Sequence, residues 1–596
     1  MHVLPQEKLR TVLLTVVPFV YAIVLACSIS NELFDLDDIR EIDFVRETSS
    51  FRQLLWADCF HYFRPGKNLL WFVFSRVEPL GVLWCHIIAI AIGVLSFFPV
   101  MALCRRVFAD EWKALASAAI WLLAPTLVSS AAWLSCVNIQ VMVALASLAI
   151  VFHDKIWEDG AFQIHRVFWA CIFLFCALGF YECAVALLPI LFLFDILLRP
   201  GRTNTRKQWC VYACYIFVYA AYAVLRFVSG SRTSALDSWA DGTRWQLAAT
   251  SPCFFVQHIA TWFWPFGRFT VLGYYKWGDY SIRVLLLCAF LVVSILGFAW
   301  GVRKTRPMLC FAVLFAFVGF APTSNCLGFG NGPYGDYYLT LASIGIAIGC
   351  TEAIWTLAKT TGFWRKPALV LVVAFVLLRT ATIFETARWA GLWSDFDKAC
   401  ETSIRNFPRS VSNKLAIIRR TCNAGRYEDA LRLGREIESQ VGPESRKMGN
   451  VYLVRAIHAI NVLRNGEMAE RMLDRCADCH VPDILPGLID YYRGCISEDI
   501  REDEDAAKNF YKRALADAWG TELVPCADRL ARLEAIRGNL NRAIDLWERA
   551  RIVDPRDTSV LWNLSVAYRD AGKKTESIRL QKLFLERKSM ESRKER

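Results

Sequence analysis

Along the first two thirds of the chain, runs of Leu, Val, Ala, Ile and Phe alternate with short polar stretches, whereas the last third is rich in Arg, Glu and Asp. An α-helix needs about 17–22 apolar residues to cross a bilayer. Such runs fall near residues 11–30, 80–103, 114–132, 136–153, 167–179, 182–198, 208–228, 284–301, 307–321, 337–357 and 367–384, and they predict about eleven spans. The two between 167 and 198 are short and divided at Tyr181-Glu182, so one re-entrant hairpin is the alternative there. Behind the last run, sliding the sequence on itself by about 34 residues, the tetratricopeptide period, lays Leu530 on Leu564, Gly538 on Gly572, Ala543 on Ser577, Ile544 on Ile578 and Leu546 on Leu580. Weaker units place Gly425-Arg426-Tyr427 before Ala430, Gly466 before Ala469, and Ala506-Ala507 before Tyr511 and Ala514. These predict about four to five repeats over roughly 405–588. The expected fold class is all-α, with a polytopic transmembrane helical domain over residues 1–395 and a tetratricopeptide-repeat α-solenoid over 396–596.

Charge adds an orientation. Arg105, Arg106 and Lys113 lie in one connection, Arg199, Arg202, Arg206 and Lys207 in a second, Arg303, Lys304 and Arg306 in a third, and Arg365 and Lys366 in a fourth. If the spans alternate, all four share one side, which the positive-inside rule makes cytoplasmic. The N-terminus is then inside and the chain beyond residue 385 outside, in a periplasm or an endoplasmic reticulum lumen. Lys8 and Arg10 before an apolar stretch ending at Ala26-Cys27 also suit a signal peptide, but the stretch is long enough to be a retained first span. Basic residues used as topology signals explain much of the net charge of +12, so nucleic acid is not an expected partner. Hydrophobic residues make up 55% of the chain, and most of the 21 cysteines lie inside apolar runs, where Cys acts as a small hydrophobe rather than a disulfide framework.

The outer loops, at about 31–79 and 229–283 with shorter ones near 133–136, 181–182 and 322–336, are where chemistry is expected. The first opens with Phe34-Asp35-Leu36-Asp37-Asp38-Ile39-Arg40-Glu41-Ile42. Asp37 or Asp38 is either an N-cap with acids in the first helical turn, or a general base beside a lipid-borne substrate with a second acid to orient it or hold a divalent cation. Next come Phe51, Leu54, Leu55, Trp56 and Phe60, a helical-period stripe suited to lying flat in the membrane interface, as do Trp262, Phe263, Trp264 and Phe266 of the second loop. In His61-Tyr62-Phe63-Arg64-Pro65-Gly66-Lys67-Asn68, Arg64 and Lys67 are interfacial anchors or phosphate ligands. Glu182, alone between apolar runs, is a hairpin tip or an acid facing a polar cavity. Asp195 is expected to pair with Arg199. Cys476-Ala477-Asp478-Cys479-His480 matches the covalent haem signature, but it lies in a repeat helix without other haem-domain features, and a buried or disulfide-forming pair is expected instead.

Several of these segments together resemble a family. Asp37-Asp38-Ile39-Arg40-Glu41-Ile42 is similar to the acidic pair plus Arg that opens the first external loop of the C-type integral-membrane glycosyltransferases, in particular of the protein O-mannosyltransferases that carry tetratricopeptide repeats. His61-Tyr62-Phe63-Arg64-Pro65 resembles their Tyr-Arg-Pro element, Tyr181-Glu182-Cys183 their Lys-Glu element, Phe320-Ala321-Pro322-Thr323-Ser324-Asn325 their Pro-Val-Ser-Asn segment, and Asp336-Tyr337-Tyr338-Leu339 their Glu-Arg-Tyr-Leu element. Tyr181 and Tyr337 stand where the family has Lys and Arg. The resemblance implies transfer of a sugar such as mannose from a polyprenyl-phosphate carrier to an acceptor hydroxyl on a protein or glycan, with inversion. Asp37 would be the base, assisted by Asp38, and Arg64, Lys67 or His258 would supply the charge that holds phosphate. Arg40, His61, Glu182, Asp336 and Tyr338 would line the donor or acceptor site. No cofactor beyond the lipid-linked sugar is implied, and the repeats would face an acceptor or partner protein. The alternative is a non-catalytic membrane scaffold that presents its repeats. A transporter would gather its ionisable groups at mid-membrane, and here the acids cluster at the outer rim.

Overall fold

The computed structural model describes residues 6–29, 37–48, 50–56, 62–158, 162–202, 206–230, 244–271, 280–324, 335–443, 445–481, 486–517, 523–554 and 557–594. Every described element is helical, and the chain divides into two compact units, Met1–Asn413 and Lys414–Arg596.

Among the described residues of the first unit, six helices are long and apolar enough to cross a membrane: Leu9–Ala26, Val82–Phe108, Leu134–Lys155, Arg206–Val228, Ile282–Gly301 and Arg365–Leu392. Each of the eleven expected runs is largely helical where it is described, but the other five are shorter or bent. Glu111–Leu122 and Pro125–Ala132 form a pair bent by 60°, at a proline that cannot continue the first helix. Ile164–Phe180, Pro307–Phe320 and Ala342–Ala358 are shorter apolar helices. Between Ile164–Phe180 and Leu187–Leu198 the chain makes a 3-10 turn, Glu182–Ala186, so the division read at Tyr181-Glu182 is a break in the helical path.

Three local expectations change. The stripe at Phe51–Leu54 is a single helical turn capped by Ser50, with Leu54 buried and Phe51 exposed. The second loop contains a helix, Arg244–Phe263, and Trp262 is fully buried instead of interfacial. Its ring lies 4.3 Å from the Arg379 guanidinium, whose Nη1 donates to the Trp262 carbonyl at 3.0 Å. Asp195 is held by Tyr212 at 2.8 Å and His153 at 3.1 Å, while Arg199 turns to Asp154 at 3.1 Å, which Arg202 also reaches at 2.9 Å.

Close helix contact depends on glycine at one crossing. A Cβ on Gly345 would sit 2.6 Å from the Ala312 carbonyl oxygen and 2.7 Å from the Ala316 nitrogen, backbone atoms that cannot step aside. One turn on, a Cβ on Gly349 would meet Ala312 Cβ at an ordinary 3.5 Å. Gly345→Ala is therefore expected to destabilise the first unit by about 1–3 kcal/mol through overpacking, with Gly349→Ala close to neutral. Thermal unfolding of the two variants in the same detergent checks this.

Helix Phe396–Asn406 is bonded into the first unit. Ser403 Oγ accepts from the Val271 N–H at 2.8 Å, and Asn406 donates to the Phe269 carbonyl at 2.9 Å. Beyond it, among the described residues, run five successive helix pairs, starting at Val411, Met448, Pro486, Leu523 and Thr558. Small buried residues (Ala430, Ala469, Ala507, Ala543) let the paired helices approach, as the repeat reading expects. Gly425, Gly538 and Gly572 end the first helices of three pairs at positive φ, where a residue without Cβ carries no steric penalty.

Candidate active site

Helix Asp37–Glu47 opens with both acids in its first turn, where the helix dipole favours them. Its periodicity turns Asp38, Glu41, Ile42 and Val45 inward, so that Asp38 and Glu41 are fully buried while Asp37 stays half-buried. Ile42 and Val45 enter an apolar cluster with Trp71, Phe74 and Cys85 that fixes the helix against Pro65–Val77. Ser135 binds Asp38 twice: its backbone N–H donates to Asp38 Oδ1 at 2.9 Å and its hydroxyl to the same oxygen at 2.5 Å. Glu41 forms an ion pair with Lys67, both buried.

Arg64 caps helix Pro65–Val77, whose first residue is a proline preset for that position. It meets Glu182 in a two-pronged bridge, Nε to Oε2 at 2.6 Å and Nη2 to Oε1 at 2.8 Å. The rings of Tyr62 and Tyr181 lie 4.4 and 4.6 Å from the guanidinium carbon. A planar guanidinium suits both contacts at once, carboxylate at its edge and aromatic rings at its faces. Gly66 lets the helix start beneath Phe180, since a Cβ there would lie 2.6 Å from the ring. The break at residues 181–182 is thereby fastened to the first loop.

The charges of Asp37, Asp38, Lys67 and Arg64 all bear on the Cys136 thiol, and those of Asp37, Cys136 and Tyr338 on Tyr337. Five residues singled out from sequence, Asp37, Asp38, Arg64, Lys67 and Tyr338, thus share one electrostatic neighbourhood, and Glu182 joins it through Arg64. Arg40 is half-buried on the opening helix. His61 lies outside the described residues. His258 is buried on helix Arg244–Phe263 with its ring 5.0 Å from Phe320, and burial pushes its pKa down to about 3, so the imidazole is neutral. Asp336 is buried with neither carboxyl oxygen hydrogen-bonded, and burial raises it well above the carboxylate range. Among the described residues, no group of three or more His, Cys, Asp or Glu is placed to hold a metal ion.

The sequence matches no family model and no curated protein. Solved structures are similar at low identity. The oligosaccharyltransferase AglB from Archaeoglobus fulgidus, in complex with an inhibitory peptide and a dolichol-phosphate, is 12% identical, with 84% of this chain and 72% of that chain covered and a TM-score of 0.41. ArnT from Cupriavidus metallidurans, bound to undecaprenyl phosphate, is 16% identical, with 70% and 81% covered and a TM-score of 0.33. A tetratricopeptide-repeat protein of Thermus thermophilus is 18% identical, with 32% and 94% covered and a TM-score of 0.23.

Glu41 and Tyr62, quoted from sequence only as members of their motifs, and Ser135 and Cys136, which were not named there, join this neighbourhood. Glu41 was readable in principle, since it stands one helical turn after Asp37 and Asp38 on the face that carries Ile42 and Val45. Ser135 lies in the short outer loop expected near 133–136, but nothing there marked it as the partner of Asp38, 97 residues away.

Burial raises Asp38 well above the usual carboxylate range; the two Ser135 hydrogen bonds oppose this, and the charges of Asp37 and Glu41 add to it. A carboxyl raised in the folded state contributes stability that is full below its unfolded pKa of about 3.9 and is lost as pH rises toward its folded pKa. Over that window the loss is about 1.4 kcal/mol per pH unit. Asp38→Asn is expected to flatten this slope and to be the more stable protein near neutral pH. Melting temperatures of both proteins across a pH series test it; parallel curves would refute it.

Proposed function

We propose that this membrane protein transfers a glycosyl group from a polyprenyl-phosphate carrier to an acceptor hydroxyl, with Asp37 as general base. The observation that carries this reading is that the charges of Asp37, at the start of helix Asp37–Glu47, and of Arg64 and Lys67, at the start of helix Pro65–Val77, all bear on Cys136. Asp37 is the acid of the pair left half-exposed, as a base must be to reach a hydroxyl. Arg64 and Lys67 are buried cations held by Glu182 and Glu41. An entering phosphate would exchange for one of these carboxylates, and the cation would then stabilise the negative charge on the departing phosphate. The carrier and its sugar supply the leaving group, so no cofactor takes part in the step. Inversion at the anomeric carbon follows from direct attack by the acceptor. Mannose is the sugar suggested by the sequence resemblance, and the repeats would offer their concave face to an acceptor protein or a partner.

The test is reconstitution of the full-length protein in lipid nanodiscs with synthetic polyprenyl-phosphate sugars and a mixture of peptide and glycan acceptors. Glycosylated product detected by mass spectrometry is expected. A second reading, a membrane scaffold that keeps the fold without the chemistry, is favoured by the carboxylate partners that already neutralise Arg64 and Lys67. It predicts no product with any donor.

A further inference from the structure

Both ends of the Arg64–Glu182 bridge rest on one face of helix Arg206–Val228, where Tyr219, Tyr222 and Arg226 follow one another at helical spacing. The Tyr219 hydroxyl accepts from the Leu188 N–H at 3.1 Å and donates to the Ala184 carbonyl at 3.0 Å, which fixes the break that carries Glu182. One turn on, the Tyr222 hydroxyl donates to the carbonyl of Phe63, the residue before Arg64, at 3.2 Å, and the Tyr222 and Phe63 rings lie 5.6 Å apart. The next turn brings Arg226 to the same place. Its guanidinium donates to the Tyr222 hydroxyl, and its charge bears on Glu182 and Cys183. The register of one helix thus sets a further cation beside the bridge, a residue not singled out from sequence.

Arg226 differs from Arg64 and Lys67 in its access. Those two are buried, whereas Arg226 is half-buried, two residues from the end of a helix long and apolar enough to cross a membrane. The flank of that helix next to the Tyr219–Arg226 face, formed by Ile216, Ala220, Ala223 and Phe227, is exposed along its length. A lipid chain lying on this flank would bring its headgroup to the helix end, the depth at which basic side chains meet lipid phosphates. A guanidinium carries five N–H donors in a planar fork that matches phosphate, so it can hold the Tyr222 hydroxyl and a phosphate together. Such docking also bears on the exchange at Arg64. A phosphate held on the neighbouring cation meets the closed Arg64–Glu182 bridge at a high effective concentration, and free lipid diffusing in the membrane does not.

We infer that Arg226 is a binding residue for the phosphate of a membrane-embedded polyprenyl phosphate, receiving it at the membrane boundary and holding it beside Arg64 while the chain lies along the exposed flank of helix Arg206–Val228. The inference rests on the glycosyl-transfer reading for the identity of the lipid. Arg226 takes no part in bond making or breaking.

The experiment needs no turnover. Full-length protein in phosphatidylcholine nanodiscs is titrated with a polyprenyl monophosphate and, separately, with the polyprenol of the same chain length, and binding is read by native mass spectrometry. The wild type is expected to bind the phosphate more tightly than the alcohol. Arg226→Gln should weaken binding of the phosphate by about ten- to hundredfold, the worth of a hydrogen bond to a charged group, and leave binding of the alcohol within a few-fold. Arg226→Lys, which keeps the charge without the fork, should recover part of the loss. An unchanged melting temperature is the control for folding, and inorganic phosphate, which lacks the chain, should not displace the lipid. Arg226→Gln that binds the phosphate as the wild type does, equal weakening for both lipids, or a wild type without preference for the phosphate overturns the inference. Displacement by inorganic phosphate overturns the assignment to a lipid. A wild type that holds the phosphate through Arg226 but transfers no sugar from any polyprenyl-phosphate donor overturns the transferase reading and leaves the lipid site standing.

Discussion

Asp37→Asn is expected to lower kcat for glycosyl transfer by about 10²- to 10⁴-fold, the usual worth of a positioned general base, while leaving KM for the lipid donor within a few-fold. The amide keeps the size and the helix-start geometry of the acid but cannot take the proton of the attacking hydroxyl. The side chain is half-buried and is not the member of the pair bound by Ser135, so folding should survive, and an unchanged melting temperature is the control. A variant with wild-type turnover would remove Asp37 from the chemistry.

The second large effect concerns stability. Arg64→Ala would strand the Glu182 carboxylate, which is 1% exposed and bound through both oxygens to that one guanidinium. Removing one partner of a buried pair typically costs about 3–5 kcal/mol, because the other charge is left without compensation. Tyr62 and Tyr181 lose their stacked cation as well. The double variant Arg64→Met with Glu182→Gln, apolar and neutral at similar volume, should recover much of the loss, since a buried pair replaced as a unit often costs little. Expression level and thermal unfolding of the three proteins measure this. Equal stability of Arg64→Ala and wild type would mean that the bridge does not hold the loop.

The helices were legible because each rests on a local signal. Apolar runs of spanning length mark residues 82–108 and 282–301, and period-34 matches such as Gly538 with Gly572 mark turns that the structure builds with positive φ at both glycines. Break points were harder to read. The division at Tyr181-Glu182 was marked by its acid, but Pro125 interrupts a run whose composition alone suggests one continuous span, and hydrophobicity does not report a 60° bend. Within the site, the carboxylates and basic residues stood out because charge is rare in such a sequence, but their pairing did not. Arg64 and Glu182 are 118 residues apart, and Asp38 and Ser135 are 97 apart. Partners at such separations are chosen by how the helices pack, which no local pattern encodes. The same holds for His258: its identity suggested a source of positive charge, and its burial against Phe320 keeps it neutral.

The central claim is that a phosphosugar lies between the opening helix and the Arg64 cap. A cryo-electron-microscopy structure of the full-length protein with a non-transferable polyprenyl-phosphonate sugar tests it most directly. The account predicts phosphonate oxygens on Arg64 or Lys67, one of the two carboxylate bridges opened, and the anomeric carbon facing the side of Asp37. A ligand bound elsewhere, with the Arg64–Glu182 and Lys67–Glu41 pairs both intact, would contradict it.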